Sequence, residues 1–139
     1  MNHLLSETAR WITETEFVYP DGSISKGKGE SNIDVKAQIV INNSRTMFGE
    51  TEIINDYVIK LNSDNEYKFE SVNPELGILN GVFNIDRNQI FSKFVIQDTT
   101  LNGFEIIIKE EDTCFAHGAL YDDQTLINTW NAVMKRVLG

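Results

Sequence analysis

The stretch Trp11-Ile12-Thr13-Glu14-Thr15-Glu16-Phe17-Val18-Tyr19 alternates two kinds of side chain, and this alternation decides the fold. Aromatic residues and threonines occupy the odd positions, whereas two of the even positions are glutamates. Successive side chains of a β-strand point to opposite faces of a sheet, so a period of two predicts a strand with one buried face. We therefore expect the odd positions of residues 11–19 to face the interior.

The same period recurs along most of the chain. Further apolar faces are predicted at these positions: Ser31, Ile33, Val35, Ala37, Ile39 and Ile41; Tyr57, Ile59 and Leu61; Tyr67, Phe69 and Ser71; Leu79, Gly81, Phe83 and Ile85; Ile90, Ser92, Phe94 and Ile96; Phe104, Ile106 and Ile108. Residues 45–54 and 113–121 are also strands, but their phase stays open. Turns are expected at residues 20–23, 42–44 and 55–56, among others. About nine short strands with regular turns indicate an antiparallel barrel or sandwich.

The last residues change period. Leu126, Trp130, Val133, Met134 and Val137 fall at helical spacing, and Asp122 or Asp123 can cap a helix there. These features predict one amphipathic α-helix over residues 123–138, following strands over about residues 10–121.

A closed barrel is expected because a sheet of nine strands must bury its apolar face and protect both edges. One helix cannot cover so large a sheet, whereas rolling the sheet up solves both problems. The sequence thus predicts one all-β domain over residues 1–139. This domain would be an antiparallel up-and-down β-barrel of about 8–10 strands with one C-terminal α-helix.

This architecture resembles the calycin superfamily, which comprises lipocalin-like and fatty-acid-binding-like barrels. Lipocalins place a Gly-x-Trp pattern at the first strand, and the matching residues here are Ala9-Arg10-Trp11, without the glycine. Arg10-Trp11, together with Gly29-Glu30-Ser31-Asn32-Ile33, is also similar to the bilin-chaperoning lyases of that superfamily. The resemblance implies a pocket for a small apolar molecule.

Charge and composition exclude some partners. The net charge is −9, and the 12 lysines and arginines are scattered. Nucleic acids and anionic membranes attract clustered basic residues, so neither is an expected partner. The N-terminus shows no secretory signal and no run of about 18 apolar residues occurs. With a single cysteine, Cys114, we expect a cytoplasmic location.

Residues that could carry chemistry are sparse. His117 lies in a strand pattern without a second histidine nearby, and a zinc site needs three or four ligands. Cys114 fits a small buried residue better than a nucleophile. We therefore predict no catalytic residues, no metal site and no cofactor.

The leading hypothesis is a non-enzymatic protein that holds a small hydrophobic or amphipathic ligand inside the barrel. Apolar walls with a few polar groups are typical of such sites. The predicted ligand-binding residues are Trp11, Thr13, Thr15, Phe17, Tyr19, Ser31, Ile33, Val35, Ser92 and Phe94. One alternative is a cavity enzyme, either an isomerase or a tetrapyrrole-attaching lyase. The other is a filled barrel that acts in protein–protein assembly. A homodimer is possible.

Overall fold

A computed structural model describes residues 2–138, which form ten β-strands and no helix. The strands are β1 (Ala9–Val18), β2 (Ile24–Val35), β3 (Ile39–Phe48), β4 (Thr51–Leu61), β5 (Glu66–Asn73), β6 (Gly77–Asp86), β7 (Gln89–Ile96), β8 (Leu101–Glu110), β9 (Thr113–Asp122) and β10 (Thr125–Arg136). Each strand pairs antiparallel with the next in sequence, and β1 also pairs with β10. The result is the closed up-and-down barrel that the alternation predicts. No helix in the described part of the chain is long and apolar enough to cross a membrane.

The predicted C-terminal helix over residues 123–138 is wrong, because most of this segment is strand β10. It pairs with β9 on one side and with β1 on the other, where Trp11 lies opposite Arg136. A register shift between Leu126 and Asn128 resets the alternation, after which even positions point inward. Leu126 and Val137, two members of the apparent helical stripe, are exposed. Because both faces of β10 carry apolar residues, its sequence does not show the polar–apolar alternation of a half-buried strand.

Two other details of the strand prediction are also corrected. Residues 31–41 are not one strand, because β2 ends at Val35 and β3 begins at Ile39. The polar stretches 42–44 and 55–56, expected as turns, lie inside β3 and β4. A polar run inside a barrel strand can face a cavity, which propensity rules for turns do not consider.

The phase of β8 is the reverse of the prediction. Glu105 and Ile107 face the interior, whereas Phe104 is 41% exposed on the outer surface. The prediction assumed that the glutamate must face solvent. The phase of β9, which the sequence leaves open, is now defined. Its inward residues are Cys114, Ala116, Gly118 and Leu120, and they lie in register with the inward residues of β10.

The N-terminal segment closes one end of the barrel. Leu4 and Leu5 are 4% and 3% exposed and belong to the same core as Trp11, Ile59 and Ile90. A tight turn holds them, in which the backbone N–H of Ser6 donates to the carbonyl of His3. The segment is also tied to the strands, since the Val35 N–H donates to the Thr8 hydroxyl. Buried side chains of the N-terminal segment and the strands therefore fill this end of the barrel.

Candidate functional site

Beyond the N-terminal plug, the barrel is hollow. A cavity of about 600 Å³ extends from Leu4 and Leu5 at the closed end to Tyr19 and Leu76 at the opposite rim. At that rim, the hairpins that join β1 to β2, β3 to β4 and β5 to β6 surround the mouth. This volume is in the range of small-molecule sites in proteins.

The cavity has two chemically different walls. Hydroxyl and amide side chains dominate the wall of strands β1 to β4: Thr13, Thr15, Ser25, Ser31, Asn42, Ser44, Thr46, Thr51 and Asn55. Apolar side chains dominate the wall of strands β5 to β9: Phe69, Leu79, Phe83, Phe94, Ile107, Ala116 and Leu120. A molecule that fills this space therefore meets hydrogen-bonding groups on one side and an apolar surface on the other.

Several polar groups of the interior have no hydrogen-bond partner within the described residues. They include the side-chain oxygens of Asn42 and Asn128, together with the indole nitrogen of Trp11. Asn42 and Asn128 line the cavity directly. Other groups of the polar wall pair with one another, such as Ser31 with Ser44 at 3.3 Å between hydroxyl oxygens. Buried polar groups are normally paired, so these unpaired groups mark the interior as unusually polar for a barrel core.

Seven of the ten predicted ligand-binding residues line this cavity, namely Thr13, Thr15, Phe17, Tyr19, Ser31, Ser92 and Phe94. Trp11, Ile33 and Val35 do not line it. Trp11 and Ile33 are fully buried, and Val35 packs against the same core. These three lie where β1 begins and β2 ends, on the plugged side of the barrel, so they contribute to packing.

Sequence reasoning missed the polar residues of β3 and β4, Trp130 and Glu105. Turn propensity places Asn42, Ser44 and Asn55 in turns, and helical spacing places Trp130 in a helix. The alternation of β8 places Glu105 on the outer face. One signal could have located it: its strand neighbour Gly103 and the glycine at position 118 share the inward phase, and glycine inside a strand indicates the close approach of another group.

Glu105 is a carboxylate set into the apolar wall. Its Oε2 atom accepts a hydrogen bond from the indole N–H of Trp130 at 2.7 Å. Burial raises the pKa of Glu105, and the hydrogen bond from Trp130 opposes part of that effect. Burial also raises the pKa of Tyr57, and the negative charge of Glu105 raises it further. Tyr57 lies on β4, in the opposite wall, so the two groups interact through the cavity.

The side chain of Trp130 passes over a glycine of the intervening strand to reach Glu105. Gly118 of β9 lies opposite Trp130 of β10 on one side and opposite Glu105 of β8 on the other. A Cβ atom at Gly118 would lie 2.2 Å from Cζ2 of the indole. The absence of a side chain on β9 therefore lets the ring lie across that strand and donate to the carboxylate.

The same arrangement recurs around the barrel. The rings of Phe69 and Phe94 lie over the glycines opposite them, with Cζ atoms 2.5 Å from a Cβ at Gly81 and 2.4 Å from one at Gly103. Glycine–aromatic pairs of this kind flatten rings against the wall and leave the centre of the barrel open. Phe17 extends the aromatic surface, with its ring 6.0 Å from that of Trp130.

The two histidines lie away from the cavity wall. His3 is buried in the N-terminal plug, where burial lowers its pKa to about 4. His117 lies on the exposed face of β9. Cys114 is fully buried, and burial raises the pKa of its thiol to about 12. Within residues 2–138, no group of three His, Cys, Asp or Glu side chains is placed to hold a metal ion.

Comparison with known proteins gives the fold. No family model matches the sequence, and no curated protein matches it. The structure is similar to the crystal structure of Rv2717c from M. tuberculosis, with a TM-score of 0.76 and 10% identity over 94% of this chain and 92% of that chain. It is also similar to a protein of unknown function of the DUF3598 family from Nostoc punctiforme, with a TM-score of 0.65 and 15% identity. That match covers 94% of this chain and 47% of the other, so the chain spans about half the length of that protein. At these identities the likeness shows a shared barrel fold.

Proposed function

We propose that this protein is a non-enzymatic binding protein that holds a small amphipathic molecule inside the barrel. The observation that carries the proposal is the two-sided cavity, with hydroxyl and amide groups on strands β1 to β4 and apolar groups on β5 to β9. A protein that needed only a stable core would fill this space, since empty volume lined by side chains reduces stability. The hydroxyl and amide side chains of the polar wall supply hydrogen-bonding groups for the polar end of such a molecule.

The proposal includes kinship with calycin barrels and action in a reducing, cytoplasmic environment. The closed meander and its interior cavity support the first part, and the free, buried Cys114 supports the second. The enzyme alternative would need an acid–base pair in the cavity. Glu105 is the inward carboxyl of the wall, and neither His3 nor His117 lies beside it.

Filling the cavity tests this proposal. Native mass spectrometry of freshly purified protein would detect a retained ligand, and the neutral dye Nile red would report uptake by fluorescence. Thr15→Trp places a large side chain in the open space and should abolish dye binding. Because the cavity has room for an indole ring, the free energy of unfolding should change by less than about 0.5 kcal/mol or rise.

Glu14→Trp is the matched control, because residue 14 lies on the same strand and faces solvent. That variant should keep dye binding. If the parent protein takes up no dye and retains no ligand, while Thr15→Trp costs about 1–3 kcal/mol from overpacking, the barrel is filled and the proposal fails.

A second candidate function is self-association, which the outer face of strands β7 to β9 favours. Phe91, Phe104 and Phe115 are each about 40% exposed there, next to Ile106 and Ile108. The charged or titratable neighbours among them are Lys93 and His117, and no carboxylate lies within the set. A second copy could therefore pack on this face without the acid–acid repulsion that a net charge of −9 imposes elsewhere.

Light scattering after size exclusion tests this second candidate. The parent should be a dimer at micromolar concentration, and the double variant Phe104→Ser, Phe115→Ser should be a monomer. Val58→Ser, which changes an exposed apolar residue on β4, should remain a dimer. A parent that is monomeric at all concentrations would contradict self-association.

A further inference from the structure

Glu105 is an unusual residue for an apolar barrel wall. Glutamine at this position could accept the same hydrogen bond from Trp130 without placing a charge in the interior. Burying a carboxylate costs free energy unless the charge is paired. The pairing within the protein is incomplete, because among the described residues Trp130 provides the one hydrogen bond, to Oε2 at 2.7 Å. The other carboxylate oxygen, Oε1, is free to interact with a molecule in the cavity.

The charged residues around the cavity determine whether an anionic or a cationic molecule is favoured there. The lining includes two carboxylates, Glu105 in the wall and Glu75 at the rim, and no lysine, arginine or histidine. A fatty acid or another anion would find no cation to neutralise it and would meet the carboxylate of Glu105. A cation would find a carboxylate and the ring faces of Phe17 and Trp130, which attract positive charge.

We propose that the cavity binds a molecule with a protonated amine at one end and an apolar body, and that Glu105 is the counter-ion of the amine. The inference rests on the proposed function and names its substrate class. The apolar body lies against Phe69, Phe83 and Phe94, and the ammonium donates to the free oxygen of Glu105. Trp130 holds the carboxylate in place from the opposite side.

The hydroxyl of Tyr57 adds a second contact for the same end of the ligand. Its ring lies on β4, 5.5 Å from that of Phe69 on the neighbouring strand β5. A tyrosine is neutral at physiological pH, and burial, together with the charge of Glu105, raises the pKa of Tyr57 further. It can therefore donate a hydrogen bond or present its ring, and it adds no competing charge.

Three probes of similar size and different charge test the proposal: 4-phenylbutylamine, 4-phenylbutan-1-ol and 4-phenylbutanoate. Calorimetry at pH 7 should show that the amine binds at least about tenfold more tightly than the alcohol and that the carboxylate binds weakest. In Glu105→Gln, which keeps an acceptor for Trp130, the amine and the alcohol should bind within about threefold of each other. Glu70→Gln removes one exposed charge from the outer face of β5 and should keep the tenfold preference.

The outcomes separate this inference from the proposed function. If the alcohol binds as tightly as the amine, or if the preference survives in Glu105→Gln, the counter-ion role is overturned while binding in the cavity stands. If none of the three probes binds, the amine proposal is overturned, and uptake of Nile red then decides the proposed function. Should Glu105→Gln fail to fold, an amine that binds no more tightly than the alcohol in the parent protein would still overturn the counter-ion role.

Discussion

The two tryptophans of this chain lie in the two halves of the barrel and have different roles. Trp11 lies in the packed half, near the N-terminal plug, and none of its surface is exposed. Trp130 lies in the hollow half, where it is partly exposed to the cavity and donates its N–H to Glu105. Packing among apolar side chains holds the first, whereas a glycine and a carboxylate position the second. Stability and ligand binding are thus separated along the barrel axis.

The largest expected effect compares these two residues directly. Trp11→Ala should cost about 3–5 kcal/mol, because it empties a fully buried aromatic site that the surrounding core cannot refill. Trp130→Ala should cost about 1–2 kcal/mol, since the ring already borders open space and loses little burial. Urea denaturation of both variants measures the difference. Equal losses would contradict the separation into a packed half and a hollow half.

The glycine beneath Trp130 provides the next test. Gly118→Ala should cost about 1–3 kcal/mol, because its Cβ would overlap the indole ring and force it to move. The hydrogen bond to Glu105 would be lost, and the emission of Trp130 should change. In a Trp130→Ala background the same substitution should cost at least about 0.5 kcal/mol less, which a double-mutant cycle measures. Additive effects would mean that the ring does not depend on the glycine.

The N-terminal plug should make stability depend on pH. Burial lowers the pKa of His3 to about 4, so the folded state favours the neutral ring. The unfolded chain has an ordinary value near about 6.5 and binds the proton first as the pH falls. The stabilising effect of the neutral ring is therefore complete above pH 6.5 and is lost between about pH 6.5 and pH 4. Solvent near the end of the barrel weakens the effect of burial. We therefore expect the free energy of unfolding to fall by about 1–2 kcal/mol across this pH range.

Denaturation at pH 7.5 and pH 4.5 measures the effect of His3. The difference between the two pH values should shrink in His3→Gln. His117→Gln is the matched control, because His117 lies on the exposed face of β9, and this variant should keep the full difference. An unchanged pH dependence in His3→Gln would show that the plug does not contribute it.

The sequence predicts the barrel because its alternation depends on local geometry. Most strands and their inward faces follow from period two, as in the segments around Phe69, Phe83 and Phe94. The prediction from alternation is wrong where a polar or charged side chain points into the barrel. Glu105 points inward although it is charged, and Asn42 and Asn55 face a cavity although they favour turns.

The error at the C-terminus has another cause. A strand that closes a barrel pairs on both sides and can carry apolar residues on both faces, so its own sequence does not distinguish it from a helix. The pairing of β10 with β1 decides the matter, and it joins residues more than a hundred positions apart, such as Trp11 and Arg136. The hollow interior also depends on how all ten strands pack, which single-strand patterns do not contain.

The smallest expected effect opposes the one at His3 and concerns the hollow half. Burial raises the pKa of Glu105, so folding favours its neutral form more than the unfolded chain does. The contribution of the neutral carboxyl group to folding stability is therefore complete below the ordinary carboxyl pKa of about 4.3. It is lost as the pH rises through the raised pKa of the folded protein. Glutamine cannot ionise and avoids this loss. Glu105→Gln should match the parent near pH 4 and be more stable at pH 7 by about 0.5–1 kcal/mol.

Thermal or urea denaturation of ligand-free protein at both pH values measures this gain, with Glu70→Gln as the control that should show none. A gain in stability at pH 7 together with a loss of amine preference would show that the carboxylate is kept at a structural cost. A Glu105→Gln variant less stable than the parent at pH 7 would instead assign Glu105 to the support of Trp130. The two halves of the barrel would then share one role, and the comparison between the two tryptophans would no longer hold.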